Sequence, residues 1–338
     1  MDALVAAGHS RTAACRIIGA CASRLYYATH PRPVKADPIA HSDRNIARLS
    51  QQQVDDILAL LDANPYSSVD DVFYNAFNHG CYIASLSSFY RVARANNRLL
   101  KQRRRTRARK KTARAGHHPP HVVATAPGHV LCWDITFLPG PLVGETYACH
   151  TVIDLYSRAL VGAVVSARED TRAAAQMFTE LLKRYPDMHT VHSDNGASMT
   201  STTLARLFHS HGVRQSFSRP RTSNDNPHIE SLFHTLKGTT YYPRVFTSIH
   251  DAAAWVEDFT VLYNNRPHSG INHYTPRSVL DGTWKDLQAN RRRAAQQALE
   301  HGYIQKLPTP RTGLPEEVTI IRTTTATRPA PQPLTINH

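Results

Sequence analysis

Val130-Leu131-Cys132-Trp133-Asp134-Ile135-Thr136-Phe137-Leu138 is the stretch on which the fold turns. Its residues alternate in character, so a strand here carries Leu131, Trp133, Ile135 and Phe137 on one side. Cys132, Asp134 and Thr136 lie on the other. An acid thus stands in the middle of an otherwise apolar strand. A buried carboxylate without a partner is costly or gives up its charge, so the position calls for a chemical reason.

Working outward, residues 146–156 and 160–167 read as two further strands, in a meander with the first. Residues 171–185 form an amphipathic helix with Ala174, Met177, Phe178, Leu181 and Leu182 on its apolar side. A short strand, 190–193, ends at Asp194-Asn195-Gly196. A helix (204–211), a strand (213–218) and a polar loop (219–226) follow. Asn226 then caps a helix that Pro227 opens and that runs to about Lys237. Ile229, Phe233 and Leu236 are its buried stripe. Glu230, His234 and Lys237, at i, i+4 and i+7, share another face. The order strand, strand, strand, helix, strand, helix, strand, helix is that of the ribonuclease H-like α/β fold, a mixed sheet flanked by helices. There the first and fourth strands are neighbours, which sets Asp134 beside Asp194 and brings Glu230 over both.

Three converging carboxylates suit phosphodiester chemistry. Cleavage at neutral pH needs an activated water or hydroxyl and a stabilised leaving oxygen, and two Mg²⁺ ions roughly 4 Å apart supply both. Mg²⁺ takes hard oxygen ligands, so Asp134, Asp194 and Glu230 are the expected catalytic and metal-binding set, with Mn²⁺ as a substitute ion. Asp154 is the rival acid, and its reading is structural, capping the strand turn near Arg158. Asp225 is read as ordering its loop through side-chain to backbone bonds. His192 shares a face with Asp194 and either touches the site or supports it.

The motifs resemble a known family. WDIT around Asp134, HSDNG around Asp194 and SNDNPHIESLFHTLK around Glu230 are similar to those of the integrase-core (DDE) transposases of bacterial insertion sequences. Thirty-five residues separate Asp194 from Glu230, the spacing of that group. Tyr263-Asn264-Asn265-Arg266-Pro267-His268 and Tyr274-Thr275-Pro276 resemble its downstream segment. The resemblance covers about 127–280 closely and the N-terminal region more loosely. It implies nicking at the ends of an element and attack of the freed 3′-hydroxyl on target DNA. It further implies a homo-oligomer on double-stranded DNA and the downstream product of a two-reading-frame element, with an upstream-frame partner or fusion. The pattern Asn64-Pro65-Tyr66-Ser67-Ser68 departs from the family's Tyr-Gly-Tyr-Arg.

The rest of the chain agrees with a polyanionic partner. Of 338 residues, 40 are Lys or Arg and 26 Asp or Glu, a net charge of +14. A helical region (1–100) is expected to hold two helix-turn-helix units. In the first, residues 11–18 are helical, Gly19 is a stop, and Ser23 caps residues 24–28. In the second, residues 69–79 are followed by a turn at 81–84 and a helix, 86–95, capped by Ser85 and carrying Arg91, Arg94 and Arg98. Such a helix suits the DNA major groove, or it is the solvated basic face of a plain helical hairpin. A basic linker (101–126) includes Arg103, Arg104 and Arg105 and would hold phosphate without sequence preference. Ser218, Arg219, Asn224, His234 and Lys237 are the DNA contacts expected beside the core (127–285). A C-terminal extension (286–338) ends in a Thr- and Pro-rich tail. Five scattered cysteines and no secretory or spanning segment suggest a cytoplasmic, nucleoid-associated protein with no membrane partner. Neither a zinc-finger spacing, a Gly-x-Ser-x-Gly elbow nor a phosphate-binding Gly-x-x-x-x-Gly-Lys loop occurs. The competing readings are a non-catalytic DNA-binding regulator and a plain ribonuclease H-type nuclease.

Overall fold

The computed structural model describes residues 2–18, 27, 49–99, 122–218, 226–304, 306–308 and 313–320. The chain divides into two compact units, residues 1–48 and 49–338. In the first, α1 (Asp2–Ala6) and α2 (Arg11–Ile17) are helical, with Ala14 and Cys15 buried. The expected cap at Ser23 and most of the helix after it lie outside the described residues.

The second unit opens with α3 (Gln51–Asp62), α4 (Val69–Asn78) and α5 (Leu86–Ala95). The last two are the expected helix-turn-helix pair. Gly80, at φ +87°, turns the chain between them in a conformation that a β-carbon disfavours. Ser85 Oγ accepts the Ser88 amide and so caps α5. Ile57, Leu61, Val72, Phe73, Phe89 and Val92 form the core of this trio.

The sheet runs in the order β4-β3-β2-β5-β6, built from β2 (Val130–Pro139), β3 (Thr146–Asp154), β4 (Leu160–Ser166), β5 (Thr190–Ser193) and β6 (Arg214–Phe217). β2, β3 and β4 are an antiparallel meander, while β5 and β6 lie parallel to β2. This is the ribonuclease H-like topology. A pair of two-residue strands, β1 (Val123–Ala124) and β7 (Val318–Thr319), lies apart from it.

Alternation along β2 decides which helices cover which face. Leu131 and Trp133 pack with Phe178, Leu181, Leu204 and Phe208 of α6 (Thr171–Arg184) and α7 (Thr202–Ser210). Cys132 and Leu138 pack on the opposite face with Ile229, Leu232 and Leu236 of α8 (Pro227–Gly238) and Val256 and Phe259 of α9 (Ile249–Asn265). Both faces are thus covered, and Asp134 falls on the α8 side. The buried stripe of α8 differs by one position from the expected one. Leu232 is buried and Phe233 only half-buried.

β3 stops at Asp154, two residues before the expected end, because that side chain makes the turn. Its fully buried carboxylate accepts the Gly128 and Ser157 amides at 2.8 and 2.7 Å and the Ser157 hydroxyl at 2.5 Å. The structural reading of Asp154 is thereby met. Beyond α9, α10 (Pro276–Leu280) and α11 (Trp284–Glu300) complete the unit. α11 packs against α4, and Arg291 on it joins the helical trio to the segment after α9.

Candidate active site

β2 and β5 are parallel neighbours whose register pairs Trp133 with Ser193. Asp134 is the next residue of β2 and Asp194 the first residue after β5, so the two acids occupy neighbouring positions across the pair. The Asp134 side chain is half-buried, and its Oδ1 accepts the Ile135 amide at 2.8 Å. Asp194 is exposed at the head of a tight loop, where its Oδ1 accepts the Gly196 amide at 2.9 Å. Asn195 Nδ2 donates to the Ser218 carbonyl at 2.6 Å and ties that loop to the end of β6. His192 is fully buried, with Nδ1 3.0 Å from Ser216 Oγ and Nε2 3.4 Å from Ser218 Oγ. It therefore braces the strand beneath Asp194.

Glu230 lies in the first turn of α8 with an exposed side chain. The start of α8 is held against β2. Asn226 occupies the N-cap position, but its side chain makes no capping bond. It is buried instead, and Nδ2 reaches the Trp133 carbonyl at 3.5 Å. That correction to the expected cap has a plain cause, since the amide is spent on the strand that carries Asp134.

The electrostatics couple Asp134 to the other two acids. Burial pushes the Asp134 carboxyl up to about 7. The Ile135 amide opposes the rise, and the negative charges of Asp194 and Glu230 add to it. Both other acids thus act on Asp134, each from a different element. Burial also raises Glu230 and lowers Lys237. Among the described residues no three Asp, Glu, His or Cys side chains close round one point as a finished cation cage.

Of the expected DNA contacts, Arg91 and Arg94 are exposed on α5, with Arg91 Nη2 3.0 Å from Ser88 Oγ. Arg98 lies past the helix end and pairs with Asp62. His234 and Lys237 are exposed on α8. Ser218 is buried against His192. Arg103, Arg104, Arg105, Arg219, Asn224 and Asp225 lie outside the described residues.

The integrase core domain family matches residues 124–223, and a second integrase core domain family matches 211–276. A transposase for insertion sequence element IS904 from Lactococcus lactis is 30% identical over 158 residues, which are 46% of this chain and 62% of that protein. The Escherichia coli putative transposase InsK for insertion sequence element IS150 is 28% identical, covering 42% and 50%. The Escherichia coli transposase InsF for insertion sequence IS3A is 31% identical, covering 45% and 54%. The chain spans between half and two thirds of the length of these relatives. Among solved structures, the catalytic core domain of BIV integrase aligns with 47% of this chain and 98% of its own at 20% identity and a TM-score of 0.37. Residues 124–276 are thus similar to integrase core domains, and the curated relatives matched over this part of the chain are transposases of insertion sequences.

Proposed function

We propose that this chain is a DNA transposase, a polynucleotidyl transferase that cleaves DNA at the ends of its element and joins the freed end to target DNA. The observation that carries the reading is the strand register that sets Asp134 beside Asp194, with Glu230 in the first turn of a helix held to β2 through Asn226. Burial together with the two other acids raises the proton affinity of Asp134. Such an arrangement is unfavourable for folding alone and is relieved by a cation.

The donor set fits a hard divalent ion. All three groups are carboxylates, and the amide bonds at Asp134 and Asp194 engage Oδ1 only. Asp134, Asp194 and Glu230 would hold Mg²⁺, or Mn²⁺ in its place, as a pair of ions. When bound, the ions activate the attacking oxygen and stabilise the leaving one. The protein's own part is placement. Pairing with β3 and β5 makes β2 a rigid base for Asp134, the Asn195 and Gly196 bonds hold the Asp194 loop, and α8 brings Glu230 from above. His234 and Lys237, one and two turns beyond Glu230, are placed for backbone phosphates, and Arg91 and Arg94 for a DNA groove. In the first step water attacks a phosphorus, the bond to the 3′-oxygen breaks, and a 3′-hydroxyl is freed. In the second that hydroxyl attacks a target phosphorus, a new ester forms, and the target's own 3′-hydroxyl departs.

Element ends and target duplex are the partners in this reading. A homo-oligomer on DNA, an upstream-frame partner and a place at the nucleoid in the cytoplasm complete it. No described helix is long and apolar enough to cross a membrane. The test is strand transfer by Asp134→Asn, Asp194→Asn and Glu230→Gln with Mg²⁺ and with Mn²⁺. Each variant is expected to lose joining by at least about 10³-fold, several kcal/mol of transition-state stabilisation, while duplex binding stays near that of the parent. Joining at the parent's rate by any one of them overturns the assignment.

A further inference from the structure

Beyond Asp134 the sheet continues without β5. β5 ends opposite Trp133, whereas β2 stays paired with β3 as far as Pro139. At ~3.3 Å per residue, those five residues carry the chain roughly 17 Å past the carboxylates. The connection at the far end reads Gly140-Pro141-Leu142-Val143-Gly144-Glu145. Hairpin tips favour Gly, Asn and Asp, yet this one holds two consecutive apolar residues at its apex. Leu142 is 72% exposed and Val143 109%.

The turn is braced. Gly140 donates to the Glu145 carbonyl at 2.9 Å, Glu145 to the Leu142 carbonyl at 3.0 Å, and the Leu142 amide to Glu145 Oε2 at 3.3 Å. A β-carbon at Gly140 would come within 2.7 Å of Glu145 Cγ, so the closure is tight. The Glu145 carboxylate is thereby folded back onto the turn, where it accepts from the Leu142 amide and from the Tyr147 hydroxyl at 3.4 Å. A second segment stiffens the neck, where the Phe246 amide donates to the Pro139 carbonyl at 2.9 Å. That bond sets exposed Arg244 and Val245 beside the hairpin. Between site and tip lies Lys237, whose ammonium is within electrostatic reach of Cys149, the β3 partner of Thr136.

We propose that Leu142 and Val143 are a wedge that opens the terminal base pairs of the DNA end lying over the carboxylates, with Lys237 and Arg244 on the phosphates alongside. The proposal rests on the transposase reading. Size selects the occupant. A specific protein interface buries about 800 Å² per partner, far more than two side chains offer, whereas a base step admits one or two apolar side chains at a cost of a few kcal/mol. Charge agrees, since Lys237 and Arg244 flank the path to the tip in a chain of net charge +14.

The experiment compares the parent with a Leu142→Asn/Val143→Asn double variant on two duplexes built from the repeats flanking the gene. One is fully paired, and the other is mismatched over its last three pairs. Both side chains are exposed, so the fold should survive, which a thermal melt checks. The variant is expected to nick and join paired ends about tenfold or more slowly and to recover on pre-opened ends, where no unstacking is left to perform. A Leu142→Ile/Val143→Ile pair should behave as the parent. In EDTA, with no chemistry, 2-aminopurine at the terminal pair should brighten when the parent binds and stay dark with the Asn variant. Equal rates on paired ends, a loss that persists on pre-opened ends, or no fluorescence change with the parent each overturns the wedge. Fluorescence brightened by a parent that never cuts leaves the wedge standing and overturns the transposase reading instead.

Discussion

Two acids on neighbouring strands, half-buried Asp134 within β2 and fully buried Asp154 at the end of β3, separate structure from chemistry. Asp154 gives its charge to three donors, and the turn would unravel without it. Asp154→Ala leaves the Gly128 and Ser157 groups unpaired, so it should cost on the order of 3 kcal/mol or more, read as a fall in the denaturant midpoint. Asp134 is desolvated by burial, has a single amide to offset it and faces two like charges, so it should cost stability instead. Its carboxyl is held at about 7 in the folded chain against 3.8 for the ordinary group. The folded state then binds more protons between those values, and stability falls as pH rises through that window. Below pH 4 nothing is lost, and above 7 the full deficit is present. Metal-free Asp134→Asn should therefore be more stable than the parent at pH 8, by on the order of 2–4 kcal/mol. Melts at pH 4 should converge, and Mg²⁺ should narrow the gap at pH 8. A variant no more stable than the parent at pH 8 removes the strain inferred for this carboxylate.

At the scale of elements, what could be read from the chain was whatever a local pattern encodes. β2 was legible because a strand covered on both faces reads as a nearly continuous apolar run, and the single acid interrupting it marked the candidate site. α4 was legible from its apolar face and the stop at Gly80, and α5 from its Ser85 cap. The position of Asp194 followed from strand order, since β5 is short and the acid comes directly after its last residue. α3 was missed, although Ser50 and Gln53 form a capping box in which each side chain takes the other's amide. The spacing of that pair was the available signal. The stripe of α8 slipped by one residue because Phe233 and Leu232 both satisfy a helical period and only the packing of α9 chooses between them. Gln53 also donates Nε2 to the Ile83 carbonyl at 2.8 Å across the trio. Ser50→Ala should then cost about 1 kcal/mol, and Gln53→Ala about 1 kcal/mol more because a buried carbonyl loses its donor. Chemical denaturation of the full chain measures both, and equal costs would show that the Ile83 bond contributes nothing.

At the scale of the molecule, the question is how the helical trio is held to the sheet. The sequence places Arg291, Arg292 and Arg293 in a row, and nothing local distinguishes them. Only tertiary packing buries the first. Arg291 Nε donates to Asn78 Oδ1 at 2.6 Å, and its Nη atoms donate to the Asn272 and His273 carbonyls at 2.9 and 2.7 Å. Its guanidinium also lies 4.2 Å from the centre of the Tyr274 ring. Asn78, itself fully buried at the end of α4, donates to the His273 carbonyl at 3.1 Å and accepts from Asn290 through its backbone. Tyr74 stacks on the His273 ring at 3.6 Å, and Arg266 pairs with Asp71. One guanidinium thus joins the trio, the segment after α9 and α11. Arg291→Met keeps the bulk of the stem but leaves Asn78 and two carbonyls without their donor, a loss on the order of 3–5 kcal/mol. The sheet has its own two-faced core, so the loss should fall on the junction. Hydrogen exchange should quicken in α3–α5 while β2 and β3 keep their protection, and a single melting transition should become two. Duplex binding by the trio should persist, but nicking at a bound end should slow by about 10²-fold, because the site then depends on a tether rather than a fixed arm to meet its DNA. A variant that melts in one transition and nicks at the parent's rate would show that the trio is held to the sheet without Arg291.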